Sequence, residues 1–239
     1  MTSPFVEALL SAPTPVITEV KITDGTGADL LGARTVGEVV DAYHDAGARC
    51  MSVVTGRWFG GNIALLREVA ALTDVPLLQK DFLTRESQLH HARELGASAV
   101  LLTAKLLPAA VLGHLIEHAL RIGLTPFVEV CDEQEIDAVT HGPDCVVAVN
   151  NKDIRDRERD RGDPERSLQL LAAVAGSGTP CPVSASGIHQ PDAAAHLINS
   201  GYAGLLIGTA LLQASSPHAW FAEFNRHRTI STGPEIRRR

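Results

Sequence analysis

The chain has 239 residues and 25.4 kDa, 45% apolar and 21% charged, which is enough apolar material for a sizeable core and excludes disordered or collagen-like chains. Its 21 basic and 28 acidic residues leave a formal charge of −7, without the clustered positive charge that binding nucleic acid requires. The one dense basic cluster, Arg237–Arg239, reads as a solvated tail, and no run approaches the roughly 20 apolar residues that span a bilayer.

In chain order, β-branched runs alternate with amphipathic segments rich in Ala, Leu and Glu. Strands are expected near Val16–Lys21, Cys50–Thr55, Pro76–Asp81, Ala99–Thr103, Pro126–Val130, Cys145–Asn150, Pro182–Ser186 and Gly204–Ile207. Helices are expected over Val36–Ala46, Ile63–Leu72, Glu86–Leu95, Leu107–Ile122, Glu133–Val139, Glu165–Val174, Asp192–Asn199 and Ala219–Arg226, with a short one around Phe5–Leu10. Gly47, Gly96, Gly123 and Gly201 read as helix stops, and Thr35, Ser87 and Asp163 as N-caps. The regular β-then-α repetition predicts parallel strands joined by crossover helices, and its count and length match an α/β (β/α)₈ TIM barrel. We expect a single domain over residues 1–239, with a short leading segment, 1–15, and a C-terminal tail, 228–239. The charge run Arg155–Arg166 reads as a solvated loop or part of a lid.

Cys50, Cys131, Cys145 and Cys181 are far apart and never form CxxC, so they read as small hydrophobes of a reducing compartment. The start, MTSPFVEALLSAPTP, lacks the basic region and apolar run of a signal sequence; the expected location is cytoplasmic. His114 and His118 lie four apart in a predicted helix, but no further zinc ligands are evident, and a polar helix face is the expectation.

Barrel enzymes work at the C-terminal ends of their strands. There the first strand offers Glu19 and Lys21, two apart and so on one face, the third Lys80, the fifth Glu129, and the sixth Asn150 and Asn151. With the apolar partners facing the helices, Glu19, Lys21, Lys80 and Glu129 point into the barrel mouth. Buried Lys and Glu are costly unless paired, and their convergence there reads as pKa tuning for acid–base work or as a salt-bridge plug. Strand seven ends SASGI and strand eight LLIGTALL, where Gly187, Gly208, Thr209 and a short helix start fit a phosphate site of this fold. The segment Asp24–Gly32 is no dinucleotide fingerprint and reads as the loop after strand one.

In order along the chain, ITEVK, AYHDAGARCMSVVTGRWFGG, VPLLQKDF, LGASAVLLT, FVEV, VNNKDI, SASGI and IGTALL resemble the indole-3-glycerol phosphate synthase family over about Val16 to Leu212. The resemblance implies a lyase that closes an indole ring from a carboxyphenylamino-deoxyribulose phosphate, losing carbon dioxide and water, with no cofactor and no metal. It implies Lys80 as general acid, Glu129 as an acid–base group, and Glu19 with Lys21 as a pair that positions substrate and shares proton transfers. Asn150 and Phe59 become substrate contacts, and Ser186, Gly187, Gly208 and Thr209 phosphate contacts. The expected partner is a small phosphorylated substrate, with no nucleic acid or membrane, in a monomer or homodimer.

The sequence departs from the family pattern in four places. Ala185 stands where the family's SESG carries glutamate, and Lys21 is followed by ITDGTG where the family reads two variable residues and Ser-Pro-Ser. Lys152 replaces an arginine, losing a bidentate fork. About fifteen residues precede the first strand, where the family usually has a long helical extension. These departures leave two alternatives open: a divergent paralogue in specialised biosynthesis, using the same Lys/Glu set on a related amino-sugar or enaminol phosphate, and a non-catalytic ligand-binding homologue.

Overall fold

A computed structural model describes residues 3–152 and 160–228. The predicted Arg237–Arg239 tail, the tail beyond Arg228 and residues 153–159 of the charge run lie outside the described residues. The strands are β1 (Val16–Val20), β2 (Met51–Val54), β3 (Leu77–Lys80), β4 (Ala97–Thr103), β5 (Thr125–Val130), β6 (Val146–Asn150), β7 (Cys181–Ala185) and β8 (Gly204–Ile207). They pair in parallel in sequence order, and β8 returns to β1 to close the barrel. The helices are α1 (Pro4–Leu10), α2 (Val36–Asp45), α3 (Ile63–Leu72), α4 (Glu86–Glu94), α5 (Ala109–Arg121), α6 (Glu133–Asp137), α7 (Glu165–Gly176), α8 (Pro191–Ser200), α9 (Thr209–Gln213) and α10 (Pro217–His227).

Local chemistry explains most boundaries. Thr35 caps α2 in a capping box with Glu38, and Gly47 and Gly201 follow α2 and α8 with φ of 90° and 127°. Ser87 and Asp163 are not N-caps as the sequence predicts. Ser87 lies inside α4, and Pro164 takes the cap position of α7 while the Asp163 carboxylate accepts from the Glu165 N–H. The fifth helix begins at Ala109 and not at Leu107, because the residue before a proline is biased to extended backbone and Pro108 takes the cap position.

Alternation along each strand sorts the core into two shells. Val16, Val20, Val53, Val100, Val128, Val147 and Leu205 face outward and join the helices in one cluster. Ile17, Leu78, Phe127 and Val183 face inward in a second, with Cys50, Ala99 and Val146. The register arranges the interior in layers of four from alternate strands. Glu19 pairs through Ser52 to Leu78, and two residues up β3 is Lys80. The same step leads from Lys80 to Glu129, from Glu129 to Ala185, and from Ala185 back to Glu19. One layer of the barrel is therefore Glu19, Lys80, Glu129 and Ala185, directly above the apolar layer of Ile17, Leu78, Phe127 and Val183.

The opposite end is plugged by α1. Phe5 and Leu9 are fully buried in the inner cluster, and the Phe5 ring meets Phe127 edge-on at 6.4 Å. Gly204 makes room for the plug, since a Cβ there would lie 2.8 Å from Leu9 Cδ2. We expect Leu9→Ala to cost about 2–5 kcal/mol of stability by opening a cavity. Gly204→Ala also destabilises by overpacking, but the double variant, whose new methyl enters that cavity, should lose less than the two single losses added together. Urea denaturation of the four proteins checks this, and strict additivity would count against the contact.

Candidate active site

The C-terminal end of the barrel brings together the four residues expected to carry chemistry. Glu19 is 2% exposed and lies between two lysines, its Oε1 3.1 Å from Lys21 Nζ and its Oε2 3.5 Å from Lys80 Nζ. Burial alone would raise its pKa, but the charges and hydrogen bonds of Lys80 and Lys21 hold it below the usual carboxylate range. From outside, the Tyr43 hydroxyl of α2 donates to the Glu19 carbonyl at 2.9 Å and fixes the strand end. Lys21 also donates to Thr209 Oγ1 at 3.2 Å, and its ammonium stands 5.7 Å from the centre of the Phe59 ring.

Two lobes meet at these lysines. The apolar lobe, about 370 Å³, is lined by Val54, Phe59, Phe82 and Leu101, with Lys21, Lys80 and Glu129 at its polar edge. The polar lobe, about 380 Å³, is lined by Lys21, Lys80, Lys152, Ser186, Gly187, Gly208 and Thr209, with Glu19 below. Their linings suit a molecule with an apolar ring at one end and a polar group at the other. The turn at the end of β7 holds Ser186 and Gly187 in left-handed backbone, φ 65° and 68°.

Asn150 ends β6 inside the barrel mouth, where its Oδ1 accepts from the Lys152 N–H at 2.9 Å. Asn151 is brought elsewhere. Its amide donates to Ser184 Oγ and the Ser186 carbonyl and accepts from Ser167 Oγ, so it ties β6, β7 and α7 together outside the barrel. Arg166 adds to this tie by donating to the carbonyls of Asn150 and Lys152. Gly208 has a different role from close backbone approach alone: a Cβ there would collide with the Glu19 carboxylate and lie 3.1 Å from Glu19 Cβ. The α9 helix that begins at Thr209 has five residues, so the cationic character of the polar lobe comes from its lysines.

Sequence reasoning passed over Phe82, which lies in the quoted VPLLQKDF and lines the apolar lobe. Its backbone is held by Asp81, whose Oδ1 accepts from the Phe82 N–H at 2.8 Å while Oδ2 accepts from Thr55 Oγ1. The expected polar face holds at His114, which is exposed, and is corrected at His118. His118 is 5% exposed, lies 3.0 Å from His90 between Nε2 atoms, and meets Glu86 across the α4–α5 seam, so it belongs to helix packing. Of the cysteines, Cys131 is only partly buried. Among the described residues, no group of three or more His, Cys, Asp or Glu could hold a metal ion, and no helix is long and apolar enough to cross a membrane.

The sequence profile of the family described as indole-3-glycerol phosphate synthase matches residues 1–224. The chain belongs to this family. It is 35% identical to indole-3-glycerol phosphate synthase 1 of Streptomyces coelicolor, over 89% of this chain and 77% of that protein. It is 33% identical to the Pyrococcus furiosus indole-3-glycerol phosphate synthase (88% of this chain, 91% of the relative) and 30% identical to that of Aquifex aeolicus (90% and 82%). In this member of the indole-3-glycerol phosphate synthase family, the layer of Glu19, Lys80 and Glu129 is completed by the methyl of Ala185, which is fully buried.

The low pKa of Glu19 has a stability consequence of fixed sign. A depressed folded-state pKa contributes stability that is present above the unfolded value, near 4.5, and is lost as pH falls through the lower folded value. Glu19→Gln should flatten the fall in stability below pH 4.5 relative to the parent. Gly208→Ala should do the same by displacing the carboxylate, and should cost about 1–3 kcal/mol at neutral pH through overpacking. Urea denaturation at several pH values between about 3 and 7 reads both, and parallel acid limbs would refute the pairing.

Proposed function

We propose that this protein is a cofactor-independent lyase that closes an indole ring by decarboxylating and dehydrating a carboxyphenylamino-deoxyribulose phosphate. The observation that carries the reading is the buried layer of Glu19, Lys80 and Glu129 at the meeting point of an apolar and a cationic lobe. The aryl ring enters the apolar lobe against Phe59 and Phe82. The phosphate enters the polar lobe, met by Lys21, Lys152, Ser186, Gly187, Gly208 and Thr209. The ketone between them comes to Lys80, and Asn150 contacts the substrate from β6.

Ring closure builds negative charge on the ketone oxygen, and the Lys80 ammonium donates the proton that neutralises it. Glu19 holds that ammonium in place at 3.5 Å, while Lys21 shares the proton transfers at the strand-one end. The carboxyl group on the attacking ring carbon then leaves as carbon dioxide, and the electrons of that bond restore the aromatic ring. Dehydration needs a base for the ring proton and an acid for the departing hydroxyl, and Glu129, in the same lobe, is the acid–base group. The substrate is a small phosphorylated molecule free in the cytoplasm, and the protein works as a monomer or homodimer.

A second reading is favoured by one observation, the uncharged Ala185 in a layer whose other three members are ionisable. In that reading the same acid–base set works on a related amino-sugar or enaminol phosphate. The pure protein incubated with carboxyphenylamino-deoxyribulose phosphate should develop indole fluorescence. Lys80→Ala should lower that turnover by about 10²–10⁴ with little change in stability. A variant that keeps more than half of the parent's turnover removes Lys80 from the mechanism. Binding without turnover by the parent points to a ligand-binding homologue, and neither binding nor turnover to the second reading.

A further inference from the structure

Phe82 borders two pockets. It lines the apolar lobe of the active site and also an open cleft with Arg57, Trp58, Asn62 and Ile63. Gly56 and Asp81 also border both spaces, so the cleft continues the apolar lobe outward past a single aromatic wall. The polar groups at that wall are engaged in holding the loops, Asp81 by Thr55 and the Phe82 N–H, and Asn62 by the Leu65 N–H. The larger apolar side chains are presented differently. Trp58 is 54% exposed and Ile63 38% exposed, and Trp58 packs on Phe82 with ring centroids 4.9 Å apart and planes at 56°.

An aromatic side chain this exposed at the mouth of an active site is costly to leave in water and suited to a planar ligand. Lys21 and the polar lobe fix the phosphate end of a substrate, so whatever projects from its aryl ring is directed past Phe82 toward Trp58. The geometry points to the Trp58–Phe82 cleft as a specificity subsite that takes an apolar, planar extension of the substrate's aryl ring. This rests on the ring-closing reading above and refines its substrate class: aryl rings carrying an extra alkyl group or a second fused ring. Trp58 is then a specificity residue, contributing by stacking and by excluding water from the extension, while Phe82 divides the parent ring from the added one.

The test compares carboxyphenylamino-deoxyribulose phosphate, its ring-methylated forms and its naphthalene counterpart as substrates for the parent, Trp58→Ala and Trp58→Phe. The parent should turn over the extended rings. Trp58→Ala should lower kcat/KM for the fused ring at least about tenfold more than for the unextended substrate, the size expected when a small apolar group loses its pocket. Trp58→Phe should restore most of that difference. Equal losses on both substrates, or a parent that converts the unextended ring and rejects every extended one, would overturn the subsite.

Binding is read separately with the ribitol analogues, whose ketone is reduced so that they cannot cyclise. The chain has two tryptophans, and Trp220 is 8% exposed, so Trp58→Phe supplies the background against which Trp58 quenching is measured. The fused-ring analogue should quench Trp58 and bind more tightly than the unextended one. If no indole forms from any substrate, the ring-closing reading fails while this binding comparison still decides the subsite. Equal affinity for the two analogues without quenching refutes it.

Discussion

Everything at the C-terminal end of this barrel is arranged around the carboxylate of Glu19. Two ammonium groups converge on it, Lys21 from the same strand and Lys80 from β3, at 3.1 and 3.5 Å. Without a charge between them the lysines would repel and turn toward water, and the two lobes that share them would lose their common wall. The carboxylate keeps its place because Gly208 leaves it room and Tyr43 anchors its backbone from outside. Taking three charges out of water costs several kcal/mol for each ion, and close mutual geometry is what makes such a set tolerable. Such a set is a poor source of stability, and under the proposed reaction its use is to hold a proton donor ready.

That cost explains the division of labour along the barrel axis. The lower layers are apolar, with Ile17, Leu78, Phe127 and Val183 closed off by the Phe5 and Leu9 plug, and there burial alone provides cohesion. The outer shell of valines and leucines does the same between strands and helices. One buried polar cluster outside the site is satisfied internally, the tie among Asn151, Ser167, Ser184 and Tyr202 behind β6 and β7. The charged layer can be costly because the layers beneath it are not.

The part of this legible in the sequence is the part governed by period-two alternation. Glu19 and Lys21 share a face because they are two apart, and Lys80 and Glu129 follow because their apolar neighbours face the helices. Reading stops where strands stop. Asn151 follows the last residue of β6, and the chain turns there, so alternation no longer tells which side its amide takes. Phe82 lies two residues beyond β3, and its position is set by Asp81 bridging to Thr55 on the neighbouring loop, a tertiary fact without a local signature. The burial of His118 is hidden from the sequence for a related reason. Its burial depends on α4 packing alongside and presenting His90 and Glu86, which helix periodicity within α5 does not contain.

Charge gives the site a direction. The polar lobe is lined by Lys21, Lys80 and Lys152 against the single carboxylate of Glu19, whereas in the apolar lobe Lys21 and Lys80 are balanced by Glu129 and Asp81. A chain of formal charge −7 thus concentrates positive charge at one side of one cleft, and an anionic group is drawn to that side. Lysine at position 152 supplies charge without the planar fork of an arginine, so it attracts an anion while fixing its orientation less. Orientation then falls to the more rigid elements, the left-handed Ser186–Gly187 turn and the Thr209 hydroxyl already held by Lys21. The anion end of a ligand is therefore located by charge and aligned by backbone. The opposite end is walled by Phe59 and Phe82, so there ring shape and contact area, not charge, decide what fits.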